Sequence, residues 1–218
     1  MDTYAEHARS ILACASEIEI SVDGEPLVYD DPIGLQDWSG IPTFVCRPDS
    51  ALALASHDER EAWLTVTSPL SCDESLLLAG RLRHATTDLC DCCDAERAMV
   101  VIELDHVLLM RPRECTPITV DSFCDPSLQL NRGYLRRTEL HINGAHDDHL
   151  RVAIARLIDQ PLRTICGARV ADLGPTGVGL QWIDEDGAHS AELRFDRAAR
   201  DADELGRFLR HALHPELC

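Results

Sequence analysis

His141-Ile142-Asn143-Gly144-Ala145-His146-Asp147-Asp148-His149 heads the part of the chain whose pattern reads most directly. Beyond it, His146 aligns with Leu150, Ala153, Ile154 and Leu157 at helical spacing. Residues 145–158 are therefore expected to form a helix with His146 on or beside its buried face and His149 at that face's edge. Three strand-like runs follow, near 164–172, 178–183 and 190–195. Gly174-Pro175-Thr176-Gly177 and Glu185-Asp186-Gly187 mark reversals between them, because glycine tolerates the positive φ that such turns often need. Asp201, with Glu204 three residues on, signals a closing helix ahead of the apolar stripe Leu205, Phe208, Leu209, Ala212 and Leu213. Helix, three strands and helix make a small antiparallel sheet with two helical covers.

Working back from that segment, residues 111–132 hold three prolines and few periodic apolar positions, which suits a connection lying over the surface. The boundary is placed so that residues 1–130 form one domain and 131–218 another. In the first, Ala5, Ala8, Ile11, Leu12 and Ala15 predict a helix over 4–15. Short runs at 18–22, 27–29, 43–46, 63–67, 76–82 and 99–104, with 107–110 as a last strand, are punctuated by Gly, Pro, Asp and Ser in the rhythm of an antiparallel barrel or sandwich. A helix near 51–56 follows Pro48, with Asp49 or Ser50 as its N-cap. The fold class is α+β, and no internal repeat is visible.

Composition narrows the function. The 218 residues, 45% hydrophobic, suffice to bury a core. With 38 Asp+Glu against 20 Lys+Arg the net charge is -18, which repels phosphate backbones and anionic lipid; no basic patch offsets it, so neither nucleic acid nor membrane is expected as a partner. Every one of the basic residues is arginine. The absence of lysine removes a Walker-type phosphate-binding lysine, a kinase lysine and a pyridoxal Schiff base together. The acidic start Met1-Asp2-Thr3-Tyr4-Ala5-Glu6 has no signal pattern, and no apolar run approaches the ~18 residues of a membrane span. A cytoplasmic location is the expectation, with the ten cysteines as reduced thiols.

On these residues the C-terminal part resembles the domain of unknown function that follows pyridoxamine-phosphate-oxidase-like split barrels in HugZ-type haem-utilisation proteins. That domain's helix carries a His-Met-Asn-x-Asp-His-x-Asp pattern, matched here by His141, Asn143, His146 and Asp148; Ala145 replaces the acid before the second histidine, and Gly144 is a further departure. Glu185-Asp186-Gly187, Arg194-Phe195 and Asp201-Ala202-Asp203-Glu204 extend the resemblance over 135–213. In the first half, residues 76–82 are similar to a long barrel strand and Phe123-Cys124-Asp125-Pro126 to the segment leading into the second domain. The resemblance implies an FMN-binding split-barrel-like domain, a homodimer, and flavin mononucleotide or haem at the subunit junction. It further implies a haem-degrading oxygenase or a flavin-dependent oxidoreductase if the chain is an enzyme. A colourless, flavin-free preparation is expected.

Three constellations carry possible chemistry. A neutral imidazole at His141, His146 or His149 suits haem iron or a divalent metal, with Asp148 available to orient a ring nitrogen. The plainer reading gives His146 a backbone carbonyl partner and makes His141 with Asn143 a helix terminator or cap. His146 and Asp148 point about 160° apart on an ideal helix, so His146 pairs better with His149. Arg81 and Arg83 alternate along a strand, as do Arg111 and Arg113, a spacing that suits a flavin phosphate or haem propionates but also a plain solvated face. Cys90, Cys92 and Cys93, with Cys72, are candidate ligands for zinc or an iron-sulfur cluster, although Asp88, Asp91 and Asp94 raise thiol pKa and two spaced Cys-x-x-Cys pairs are lacking. No serine or cysteine sits in a nucleophile elbow. The functional expectations are haem or tetrapyrrole binding, a non-catalytic dimeric regulatory module, or a thiol-based redox or metal sensor.

Overall fold

The computed structural model describes residues 3–28, 33–89 and 96–213. Its chain divides into two compact units, Met1–Gly133 and Tyr134–Cys218.

In the first unit the order is α1 (Thr3–Ala13), β1 (Glu17–Val22), β2 (Glu25–Pro26), β3 (Gly34–Trp38), β4 (Ile41–Cys46), α2 (Ala51–His57), β5 (Glu61–Ser68), β6 (Ser71–Leu89), β7 (Glu96–Arg111), β8 (Glu114–Ile118) and α3 (Val120–Phe123). The strands make one antiparallel sheet in the order β2-β1-β5-β6-β7-β4-β3. β4 pairs with the first half of β7 and β8 with its second half. Alternate residues of each strand point inward, and Ile20, Val22, Phe44, Leu64, Val66, Leu76, Leu78, Val100, Ile102 and Leu109 join one buried cluster with Ile11 and Leu12 of α1. A flat sheet cannot bring strands from its two ends onto one core; this one bends at two β-bulges, with Asp105 of β7 the extra residue opposite Ala79 and Gly80, and Ala85 the extra residue on β6. At the first bulge a Cβ on Gly80 would lie 1.9 Å from the Glu103 carbonyl oxygen, so only glycine fits. The result is the expected α+β plan, with one large antiparallel sheet bent about a single core.

Several expectations are corrected. The runs at 99–104 and 107–110 are one strand: Glu103 and His106 pair with Arg81 and Ala79 of β6, and the exposed Asp105 between them is the extra residue of a β-bulge. Residues 111–132 do more than connect: they include β8 and α3, and Phe123 and Leu128 are buried in the core. Leu27 and Val28 lie beyond the short β2, and β3 had no apolar pattern to betray it. Ser50, not Asp49, caps α2, accepting from the Ala53 N–H at 3.2 Å.

The second unit contains α4 (Arg132–Ala145), α5 (Asp147–Leu157), β9 (Gly167–Gly174), β10 (Gly177–Asp184), β11 (Gly187–Arg194) and α6 (Ala202–Ala212). The sheet is antiparallel in the order β11-β10-β9. Leu150 and Ile154 of α5, Val170 of β9, Val178 and Leu180 of β10, and Leu205 and Leu209 of α6 are buried. Where one helix was expected from residue 145, two meet at His146; the arginine-rich start of α4 carries no apolar stripe in the sequence. α6 matches its expected cap, the Glu204 N–H donating to Asp201 Oδ1 at 2.8 Å. Among the described residues no helix is long and apolar enough to cross a membrane.

Candidate functional site

The three motif histidines gather where α4 meets α5. His146 leaves helical geometry (φ -128°, ψ 28°), yet its N–H donates to the Ile142 carbonyl and its own carbonyl accepts from Leu150, each at 3.0 Å. The hydrogen-bond ladder thus runs across the bend. Asp147 and Asp148 start α5, where carboxylates complement the positive end of the helix. The bend brings the His141 and His146 rings edge to face with centroids 5.3 Å apart, and the His146 and His149 rings to 5.6 Å. His146 Nδ1 lies 3.4 Å from His149 Nδ1. Burial, and then the fields of His141 and His149, push the His146 pKa below its ordinary value, so its ring is neutral at pH 7.

His141 is exposed and forms part of the wall of a cleft of about 400 Å³ between α4 and α6. Leu205 and Leu209 lie beneath its floor, almost fully buried, and Tyr134, Arg137, Asp203 and Arg210 supply polar groups. The volume falls within the range of about 300–1,000 Å³ usual for small-molecule sites.

The other motif residues take different parts. Asn143 is neither cap nor terminator: its amide donates to the Val170 carbonyl at 2.9 Å and accepts from the Val170 N–H at 2.8 Å, pinning α4 to the outer edge of β9. Asp148 is 93% exposed and lies 3.6 Å from Arg151, so it orients no imidazole. Ala145 is exposed.

Arg81 and Arg83 do share the outward face of β6, flanking the buried Leu82. Arg83 is engaged by Glu59 and by Glu103, the latter at 2.8 Å, and Arg81 is exposed. They are remote in sequence from the histidines and belong to the other unit. Arg111 stacks on Tyr4, 4.9 Å from the ring centroid, and donates to Glu74 at 2.7 Å. Arg113 sits in the turn after β7 and shares no strand face with it. Cys90, Cys92 and Cys93 lie outside the described residues.

Sequence reading missed a polar group on the first unit. His7 of α1 meets Glu74 and, at 3.2 Å, the Ser71 hydroxyl. Burial pushes the Glu74 carboxyl up, but Arg111 and His7 outweigh it and hold the pKa at about 2. Serine and carboxylate engage the same ring nitrogen of His7, so no proton relay of the Ser-His-acid kind passes through it. His7 lies 64 and 67 residues from Ser71 and Glu74, and only the fold brings them together.

No family model matches the chain. No curated protein matches it either. Among solved structures it is similar to a heme binding protein from Mycobacterium smegmatis (17% identity, 97% of this chain and 96% of the other, TM-score 0.42). It is also similar to a protein of unknown function from Agrobacterium tumefaciens (14% identity, 97% and 95%, TM-score 0.42) and to a general stress protein 26 from Jannaschia sp. (13% identity, 87% and 96%, TM-score 0.38). At such scores the likeness assigns this chain no ligand and no residue a role.

Proposed function

We propose that the second unit binds haem or a related tetrapyrrole at the α4–α6 cleft, with His141 as the iron ligand. The supporting observation is the character of the histidine cluster. Among the described residues no three His, Cys, Asp or Glu side chains are arranged to hold a metal ion. An iron that brings its own ring nitrogens needs one imidazole from the protein. His141, the exposed ring on the cleft wall, stands nearly perpendicular to the His146 ring. Arg137 and Arg210 suit the tetrapyrrole's carboxylates by charge-assisted hydrogen bonds, with the carboxylate of Asp203 on the same lining. When bound, the iron supplies redox chemistry; the protein's part is to hold and orient the ring.

Hemin titration of the purified chain, followed in the Soret band, tests this reading. A saturating shift at one equivalent is expected, lost in His141→Ala and weakened about tenfold in His146→Ala, a loss of about 1.4 kcal/mol. A wild-type spectrum identical to that of free hemin overturns it. A yellow, fluorescent preparation redirects the case to flavin.

A further inference from the structure

The sheet of the second unit has two outer edges, and the chain treats them differently. On β9 the Val170 N–H and C=O turn away from β10 and are both taken up by the Asn143 amide, which occupies the place of a further strand. Val170 stands opposite Leu180, which faces Ala191 on its other side. In a regular antiparallel ladder backbone groups alternate between neighbours, so those of Leu180 go to Ala191. The same phase follows from the two-residue turn joining Asp184 to Gly187. On β11, then, Gly187, His189, Ala191 and Leu193 turn their backbone groups toward β10, while Ala188, Ser190, Glu192 and Arg194 turn theirs outward. All four of the latter are exposed. β11 pairs with β10 over its full eight residues with neither a bulge nor a proline to protect its edge, and its two charged side chains, Glu192 and Arg194, are bonded to each other at 3.1 Å.

We infer that β11 pairs with β11 of a second copy of this chain, antiparallel about a two-fold axis at Ser190, joining two three-stranded sheets into one of six. The register follows from charge. With the axis at Ser190, Asp186 at each end faces Arg194 of the partner subunit and Glu192 faces the partner's Ala188. Moving the axis to Ala191 sets Asp186 against the partner's Asp196; moving it to His189 sets Asp186 against the partner's Glu192. Of these three registers only the first brings opposite charges together at both ends, and like charges directly opposite destabilise a strand pair; an axis at Leu193 also sets Glu192 against the partner's Arg194 but overlaps only three residues of β11. The net charge of -18 on each copy opposes association, so salt strengthens the dimer. This pairing does not depend on the ligand reading.

Sedimentation equilibrium of the full chain at low and moderate salt tests it. A dimer is expected, tighter in salt. Ser190→Lys sets two ammonium groups face to face at the axis and weakens the dimer at least about tenfold. It leaves the circular dichroism unchanged, because Ser190 is exposed and its backbone groups do not serve β10. Arg194→Asp weakens the dimer, and adding Asp186→Arg restores it, a rescue that a merely structural role does not produce. A wild-type monomer, or a dimer indifferent to Ser190→Lys, overturns the proposal.

Discussion

Arg9 in the first unit and Glu204 in the second are both buried charges, but they are neutralised in opposite ways. Arg9 and its partner Asp37 are 1% and 3% exposed, so cation and anion are both withdrawn from water. Arg9 Nε and Nη2 donate to Asp37 Oδ2 at 3.2 and 3.1 Å, Nη1 donates to the Phe123 carbonyl at 2.9 Å, and Asp37 Oδ1 accepts from the Gly40 N–H at 2.7 Å. Glu204 is 1% exposed, but Arg197, Arg200 and Arg207 around it are 55%, 75% and 66% exposed. One pair is an interior bolt joining α1, β3 and α3; the other is an anion under a solvated cationic cover. A closed pair has no substitute for a lost member, whereas an open group can exchange protein partners for water.

The largest effect is therefore expected at the closed pair. Asp37→Ala strands the Arg9 guanidinium in the core and leaves the Gly40 N–H without its acceptor, at a cost of about 3–5 kcal/mol in chemical denaturation. Gly40 cannot relieve the site by gaining a side chain: its φ is +93°, and a Cβ would lie 2.9 Å from Cys124 Cα. The double change Arg9→Met with Asp37→Leu removes both charges and is expected to recover most of the loss. A double variant no more stable than Asp37→Ala breaks the comparison, since burial of an unpaired charge is then not the cause.

Next comes acid. Glu204 is held at about 2, below the ordinary 4.5, mainly by hydrogen bonds from Arg197 and Arg200 that outweigh its desolvation. A depressed folded-state pKa contributes stability that is fully present above the unfolded value and is lost as pH falls from about 4.5 toward 2. Hydrogen exchange at α6 is expected to accelerate in that window, and Glu204→Gln to flatten the dependence there. Glu74, also held at about 2, produces a similar window in the first unit, so the probe must be local. An α6 response in Glu204→Gln equal to that of wild type refutes the assignment.

How much of this was legible in the sequence follows from the distance between partners. α6 was legible because its cap and stripe fall within one helix. The histidine cluster was legible because His141, His146 and His149 lie within two turns, although the bend that gathers them was not. β6 and β7 look like short runs because Arg81, Arg83 and Glu103 resemble loop residues until their outward register is known, and Asp105 is an unpaired bulge residue. Asn143 could be matched to a motif, but its work is done on the backbone of Val170, 27 residues away, and backbone partners leave no mark on composition. Arg9 and Asp37 are 28 residues apart and join a helix to a strand that carries no strand signal.

The smallest effect distinguishes a cover from a bolt. Arg207 reaches Glu204 only at 3.8 Å, while Arg197 and the backbone N–H of Arg200 are in hydrogen-bond contact with it. Arg207→Ala should leave Glu204 neutralised and move the thermal midpoint by no more than replicate scatter. Arg197→Ala, which removes the first cause of the depressed pKa, should shift the acid response of α6 toward higher pH at an almost unchanged midpoint. These two substitutions rank the arginines by how closely they approach one carboxylate; Arg197 also lies over the Phe208 ring, 5.3 Å from its centroid, so its midpoint carries any packing loss and its acid response the charge. If Arg207→Ala instead cost as much as Asp37→Ala, the cover would behave as an interior pair, and exposure would not be what separates the two sites.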